Sequence, residues 1–288
     1  MILVTGAGGN VGGQVLAQLA RRGTAVRAMT RSPLTVKLPE GAEAMRGDLA
    51  DPASLEACVD GVEAVFLMWP FHNAGPMAGI LEVIKRHACR RVVLLSSGAV
   101  QDGPAPERNT SPVGRSHAEV ERLLAESGLP WTVLRPSTFA ANALWWAGQI
   151  RAGDTVAGPY GAVAMAMLHE ADIAAVAVHA LTEDGHERAC YRLTGPQVLT
   201  QAGQVHIIGQ ALGRPLRWQE SSREEARQRL LADDSFPDSF VDVLLDGYAA
   251  MLNAPAPTLT STVETVTGTP ARTFHQWVLD HAEAFTPR

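Results

Sequence analysis

The chain has 288 residues, 46% hydrophobic and 19% charged, which supplies a large core and excludes a disordered polymer. A net charge of −6 argues against a nucleic-acid partner, and no apolar run approaches the roughly 20 residues of a membrane helix. Three scattered cysteines (Cys58, Cys89, Cys190) and an opening MILVTG that reads directly as a strand predict no disulfide framework, no leader peptide and a cytoplasmic setting.

The elements follow in chain order. Ile2–Val4 is an apolar strand, and Val11, Val15, Leu16 and Leu19 share one face of a helix over 11–22. Ala25–Met29 is a second strand, and a third ends before Gly47. Asp51-Pro52 caps a helix through Cys58. Ala64–Met68 is a strand, 76–88 a helix and Arg91–Leu95 a strand. Ser111-Pro112 opens a helix that closes at Gly128, and Trp131–Leu134 is the next strand. Continuous apolar strands alternating with helices predict a parallel sheet covered on both faces.

Beyond Pro136 the rhythm weakens. Residues 137–168 hold Trp145, Trp146 and one Ala/Met/Val strand. A helix is expected over 170–181 and a strand over 190–193. Further helices are expected over 200–213, 222–232, 236–252 and 271–285, with a loop at 253–262. The predicted fold is α/β, a Rossmann-type doubly wound parallel sheet with a smaller, mostly helical C-terminal substrate lobe. Its domains are 1–136 plus about 169–195 for the dinucleotide-binding part, and 137–168 plus 196–288 for the lobe.

The first strand runs into Thr5-Gly6-Ala7-Gly8-Gly9-Asn10-Val11-Gly12 and then a helix. Glycines 6, 9 and 12 allow a tight turn, a close approach of backbone to a pyrophosphate, and close packing of helix on strand. The helix N-terminus then offers free N–H groups and the positive end of its dipole. The second strand ends in Arg31-Ser32, where a cofactor with a free ribose 2′-hydroxyl usually meets a carboxylate. Arg31 can pair with a 2′-phosphate and Ser32 can donate to it, so NADP(H) is the expected cofactor, with NAD(H) a possible one. Asp48, beside Leu49 after the third strand, is placed to accept from an adenine amino group or to close an ordinary turn.

TGAGGNVG, TRSP, GDLADPASL, VVLLSS and LRPSTFAAN together resemble the NmrA-like branch of the atypical short-chain dehydrogenase/reductases. His117-Ala118-Glu119-Val120-Glu121 resembles a helix of that branch's NAD(P)H-dependent quinone reductases. YRLTGP, ALGRP and VETVTGTPARTFHQWV match its C-terminal lobe. The resemblance spans nearly the whole chain and implies a cleft between Rossmann domain and lobe. It implies cofactor contacts at Gly6, Gly9, Asn10, Val11, Gly12, Arg31 and Asp48. These continue on Met68-Trp69-Pro70, Ser96-Ser97 and Pro136, Ser137, Thr138 and Phe139.

The wider superfamily reduces carbonyls with a Tyr-x-x-x-Lys pair, in which tyrosine protonates the substrate oxygen. Four residues beyond Tyr160, Tyr191 and Tyr248 stand Ala164, Gly195 and Leu252. Counting back from His117, the lysine position is about Ser116 and the tyrosine position about Pro112. Of 24 basic residues only Lys37 and Lys85 are lysines, and neither lies there. The expected activity is therefore reduction of a quinone or polycyclic aromatic ketone, whose oxyanion is delocalised, with onward reaction of the product with O2 giving net oxygenation. The alternatives are a nonenzymatic NADP(H) sensor that binds a partner protein and, further off, an isomerase or epimerase.

Ser96, Ser97, His72 and His117 are the candidate catalytic residues. Ser96 and Ser97 are set to bond a substrate oxygen or the local backbone. His72 is a loop histidine able to donate a proton. His117 either orients substrate or bonds its own helix. Trp69 is placed to stack on a ligand or to fill core. Phe71, Asn142, Trp145 and Trp146 are the candidate substrate-binding residues, an aromatic wall suited to a small flat aromatic molecule. Glu119 and Glu121 read as structural carboxylates. The remaining histidines lack ligand spacing, so no metal is expected. Oligomeric state is not legible in the sequence.

Overall fold

The computed structural model describes residues 1–33, 38–102, 109, 111–233 and 237–286. Lys37, and the expected helix start at 236, lie outside the described residues. In chain order the first elements are β1 (Ile2–Thr5), α1 (Asn10–Arg21), β2 (Val26–Thr30), β3 (Glu43–Arg46), α2 (Glu56–Val59), β4 (Ala64–Met68), α3 (Met77–Arg86) and β5 (Arg91–Leu95). Then come α4 (Pro112–Glu126), β6 (Trp131–Pro136), α5 (Ala147–Ala152), β7 (Thr155–Gly158), β8 (Ala164–Ala166), α6 (Glu170–Thr182), β9 (Ala189–Leu193) and β10 (Val198–Thr200). The last are α7 (Gln201–Leu212), β11 (Arg217–Glu220), α8 (Arg223–Leu231), α9 (Asp238–Leu252), α10 (Thr262–Thr267), α11 (Phe274–Asp280) and α12 (Ala282–Phe285).

These elements form two compact units. The first holds Met1–Ser137, Glu170–Thr194 and Thr260–Pro270. Its seven-stranded sheet runs β3-β2-β1-β4-β5-β6-β9, and every neighbouring pair is parallel. The architecture is a doubly wound, Rossmann-type α/β fold. Strands β1, β4 and β5 are almost wholly buried because their apolar runs face helices on both sides. The order reverses between β1 and β4, which makes the carboxyl ends of those two strands the switch point where such sheets bind ligands. The Thr5 hydroxyl accepts from the Met68 N–H at 2.8 Å and latches the two strand ends together.

Residues 260–270, which the sequence assigns to the lobe, pack with this unit instead. Thr260 bonds both Thr194 and the Arg192 carbonyl, and α10 lies against α6. The expected loop at 253–262 ends where α10 begins, and no helix was expected over 262–267.

The second unit holds Thr138–His169, Gly195–Leu259 and Ala271–Arg288. It carries two small sheets, β10 antiparallel to β8 and β11 parallel to β7, and is otherwise mostly helical. The helix expected over 271–285 is two helices, broken at His281, whose non-helical φ of −118° and ψ of 15° end α11. Its core centres on Trp277, fully buried, which stacks on Phe274 at 5.4 Å and on His281 at 4.5 Å. Trp277→Ala is expected to destabilise the protein by about 3–5 kcal/mol, measured by denaturant unfolding, because a large buried ring is lost and a cavity remains.

Candidate active site

The switch point is built by glycine. Gly6 sits at φ +63°, a left-handed conformation that L side chains rarely adopt. A Cβ at Gly12 would lie 2.1 Å from the Gly6 carbonyl oxygen, so α1 can approach β1 only without a side chain there. Gly9 caps α1 with no side-chain hydrogen bond, whereas Ser111, Thr200, Ser222 and Thr273 cap α4, α7, α8 and α11 with their own oxygens. Exposed Asn10 and buried Val11 open the helix. The first turn of α1 holds no acidic residue, so its N–H groups and dipole suit an anion. The loop fits a dinucleotide pyrophosphate.

Beside it, the Gly47 N–H donates to the Thr30 carbonyl at 3.1 Å, bringing the ends of β2 and β3 together. Arg31 is exposed there and makes no ion pair or hydrogen bond among the described residues. The Ser32 N–H donates to the Thr30 hydroxyl at 3.2 Å. One Asp48 carboxylate oxygen accepts from the Ala50 N–H at 2.9 Å, so Asp48 closes a turn, and Leu49 is buried beneath it.

The loop after β4 resolves the alternatives at Trp69. Its ring is 5% exposed, meets Phe71 edge-on at 5.1 Å, and its indole N–H donates to the Asn73 carbonyl. The indole is core, and a stacking role for it is corrected; Met68 and Pro70 keep the loop's accessible positions.

The two serines after β5 differ. Ser96 is buried, and its hydroxyl donates to Glu121 at 2.5 Å. Glu121 accepts from Arg135 at 2.6 Å, Arg135 donates to Asp102 at 2.5 Å, and Arg192 donates to Asp102 at 2.9 Å. Burial opposes the Arg135 charge, but Glu121 and Asp102 hold its pKa above the ordinary value. Ser96 is therefore consumed by a chain of ion pairs, and its catalytic assignment is corrected. The residues sequence reasoning passed over are Arg135 and Asp102. They lie at separations that carry no local signal, and together with Glu121 they fix the ends of β5, β6 and β9. Ser97 is half-buried; its oxygen accepts from the Ala99 N–H at 3.2 Å, which leaves its proton to donate.

Helix α4 brings the remaining candidates to the same end of the sheet. The Ser116 hydroxyl donates to the Phe71 carbonyl at 3.2 Å and Pro112 begins the helix, so the usual acid positions hold no acid. His117 donates Nδ1–H to the Val113 carbonyl at 3.0 Å, in the tautomer that carbonyl requires. Burial lowers its pKa, and nearby His72 contributes in the same direction. At neutral pH its Nε2 is thus an acceptor. His72 itself is exposed on the loop after β4. Glu119 pairs with Arg122 on its own helix. Pro136 ends β6, and the N–H of Ser137, the next residue, donates to the Leu193 carbonyl.

In the second unit, the Thr138 carbonyl accepts from the Leu168 N–H, and Phe139 bridges Leu168. Asn142 is half-buried in the 3-10 segment Ala140–Trp146. Trp145 and Trp146 line a groove of about 950 Å3, together with Tyr248 and with Trp218, which sequence reasoning passed over. Asn142 is not among the residues lining it. Burial pushes the Tyr248 phenol up to about 12. Among the described residues no group of three or more His, Cys, Asp or Glu side chains can hold a metal ion, and no helix is long and apolar enough to cross a membrane.

Removing Arg135 takes the guanidinium away from the half-buried Glu121, leaving it only the Ser96 hydroxyl among the bonds described above. Arg135→Ala is expected to cost about 3–5 kcal/mol in unfolding free energy. Ser96→Ala removes one hydrogen bond from the same network and should cost about 1 kcal/mol, with turnover retained, which steady-state kinetics on the folded variant checks.

Comparison with known proteins agrees with this geometry. Residues 6–184 match a family model described as NAD(P)H-binding. The chain is 37% identical over the full length of both sequences to a (4-alkanoyl-5-oxo-2,5-dihydrofuran-3-yl)methyl phosphate reductase of Streptomyces griseus. It is 32% identical to an NAD(P)H azoreductase of Xenophilus azovorans, over 99% of each chain. The NADPH-dependent quinone oxidoreductase QOR2 of Escherichia coli superposes with a TM-score of 0.79 at 25% identity, over 98% of this chain and 100% of that one. The chain belongs to the NAD(P)H-binding family, in the NmrA-like branch of the atypical short-chain dehydrogenase/reductases, and is an NAD(P)H-dependent oxidoreductase.

Proposed function

We propose that the protein is an NADPH-preferring reductase of flat, conjugated, electron-poor acceptors, with quinones and related aromatic ketones as the model class. The observation that carries this reading is the state of α4: Pro112 and Ser116 stand where the tyrosine and lysine would be, and the Ser116 hydroxyl is already given to the Phe71 carbonyl. Without a strong protein acid, the substrate's developing oxyanion must be stabilised within the substrate. Delocalisation through a quinone or fused aromatic ring does this; an aliphatic ketone offers nothing equivalent. The relatives' names support the same class, since a quinone, an azo compound and an unsaturated oxofuran are all conjugated acceptors.

The chemistry NADPH supplies when bound is hydride donation. The glycine loop and the uncapped α1 would hold its pyrophosphate. Arg31 would pair with the 2′-phosphate, and Ser32 would donate to it. Met68, Pro70, Pro136, Ser137, Thr138 and Phe139 would bound the nicotinamide end. Ser97 has a proton to give to the substrate oxygen, and the neutral Nε2 of His117 can hold a proton that passes between that oxygen and solvent. His72, exposed beside it, would be the exchange point with water. Trp145 and Trp146 would line the substrate side.

Losing a charged hydrogen bond costs about 1.5–3 kcal/mol. Arg31→Ala should therefore weaken NADPH binding by about 10- to 100-fold and leave NADH binding nearly unchanged, as titration calorimetry would read. Tighter binding of NADH than NADPH by the wild type would overturn the preference.

Quinones should be turned over far faster than aliphatic ketones of similar size. Tyr191→Phe should keep turnover, because its phenol bonds His186 at 2.8 Å and a general acid would be worth about 10²–10⁴-fold. Efficient reduction of aliphatic ketones would sink the delocalisation argument. Oxygen uptake during turnover would measure onward oxidation of the reduced product.

A further inference from the structure

The groove in the second unit combines two features that the reading above leaves unused. Its walls are aromatic and aliphatic, and its charge is lopsided. Trp146 meets Trp218 edge-on at 5.7 Å and 74°. Trp145 meets Phe240 edge-on at 6.4 Å and 72°. Rings pinned at right angles present fixed faces, and about 950 Å3 suits a small organic molecule.

Arg151 and Arg229 also line the groove. Arg151 donates Nη1 to the Ala284 carbonyl at 2.6 Å, and Arg229 donates Nη1 to the Ala157 carbonyl at 2.9 Å. Each is thus anchored by backbone, with most of its guanidinium donors left over. Neither has a carboxylate within ion-pair distance among the described residues. Glu225, one turn before Arg229, feels the Arg229 charge at longer range, but its hydrogen bonds come from the Ser222 N–H and hydroxyl, both at 2.8 Å. The lining's carboxylate, Asp233, is exposed and has a partner of its own. The Tyr248 phenol lines the groove as a neutral donor with no hydrogen-bond partner among the described residues.

We propose that this groove binds a flat aromatic ligand bearing an oxyanion (a carboxylate, sulfonate or phosphate), with Trp145, Trp146 and Trp218 holding the ring and Arg151 and Arg229 the charge. Carrying this over to turnover rests on the reading that Trp145 and Trp146 line the substrate side; the binding claim stands on the groove alone. Guanidinium forks match oxyanions bidentately, and their anchoring to Ala157 and Ala284 reduces the ordering cost of capture.

The test uses the full chain and two isosteric probes, naphthalene-2-sulfonate and the neutral naphthalene-2-sulfonamide, followed by quenching of tryptophan fluorescence. The wild type should bind the sulfonate about tenfold tighter, the size of one charge-assisted contact. The Arg151→Ala/Arg229→Ala double variant should bring the ratio near one. Arg151→Lys/Arg229→Lys should keep most of it, and covers the case in which the alanine variant fails to fold. Equal wild-type affinities, or a preference that survives in a folded double-alanine variant, would overturn the proposal. A sulfonate preference without NADPH-dependent quinone turnover supports the groove and overturns the reductase reading. Turnover without the preference does the reverse.

Discussion

The approach of α1 to the end of β1 is the constraint on which the first unit depends. With only hydrogen at Gly12 above the Gly6 carbonyl, the helix axis points its unpaired N–H groups at the switch point of the sheet. Thr5 then ties that point to Met68, so the glycine loop and the loop after β4 form one rigid edge. The same edge continues through the β5, β6 and β9 ends, where the Glu121–Arg135–Asp102–Arg192 chain replaces apolar packing with charge. Charge is the costlier way to join strands, and it fixes direction as well as distance. It holds the start of the Ser96–Gly98 turn, leaving Ser97 as the serine with a proton to give.

This arrangement explains how an oxidoreductase can dispense with the tyrosine and lysine of its wider superfamily. Ser116 and Pro112 have become parts of the scaffold, one bonding the Phe71 carbonyl and the other starting α4. The imidazole of His117 is held neutral because burial disfavours its charge, and in the proposed reading it would relay a proton without acting as a strong acid. On that reading the protein's contribution shifts from acid catalysis to placement. In the proposed reading, substrate choice is thereby narrowed to molecules that stabilise their own negative charge.

Much of the first unit was legible because its signals are local. Apolar runs gave the strands, and Asp51-Pro52 and Ser111-Pro112 gave helix starts that the structure keeps. The glycine loop was legible for the same reason. The second unit was harder: β11 is the polar, mostly exposed Arg217–Glu220, with no alternation to read, and in the first unit the six-residue α10 is too short to show a helical period. The fates of Ser96 and Trp69 were open in the sequence. What decides them, Glu121 for one and burial against Phe71 for the other, depends on which segments meet in space. The groove's arginines were invisible too, since Arg151 and Arg229 stand 78 positions apart and each is ordinary alone.

The division of the chain into units also bears on how the molecule is made. Each unit is assembled from three separate segments, so the backbone passes between them at five places. During synthesis, the parallel sheet cannot gain its last strand, β9, until the ribosome has produced the stretch from Thr138 to His169 that belongs elsewhere. The other core waits still longer, because Phe274, Trp277 and Phe285 come from the third of its segments, 271–288. Neither unit can therefore be cut out as a contiguous fragment. Nascent chains must keep the apolar segments of that core from aggregating until residues 274–285 are made, a demand that falls on chaperones and on the speed of that folding step.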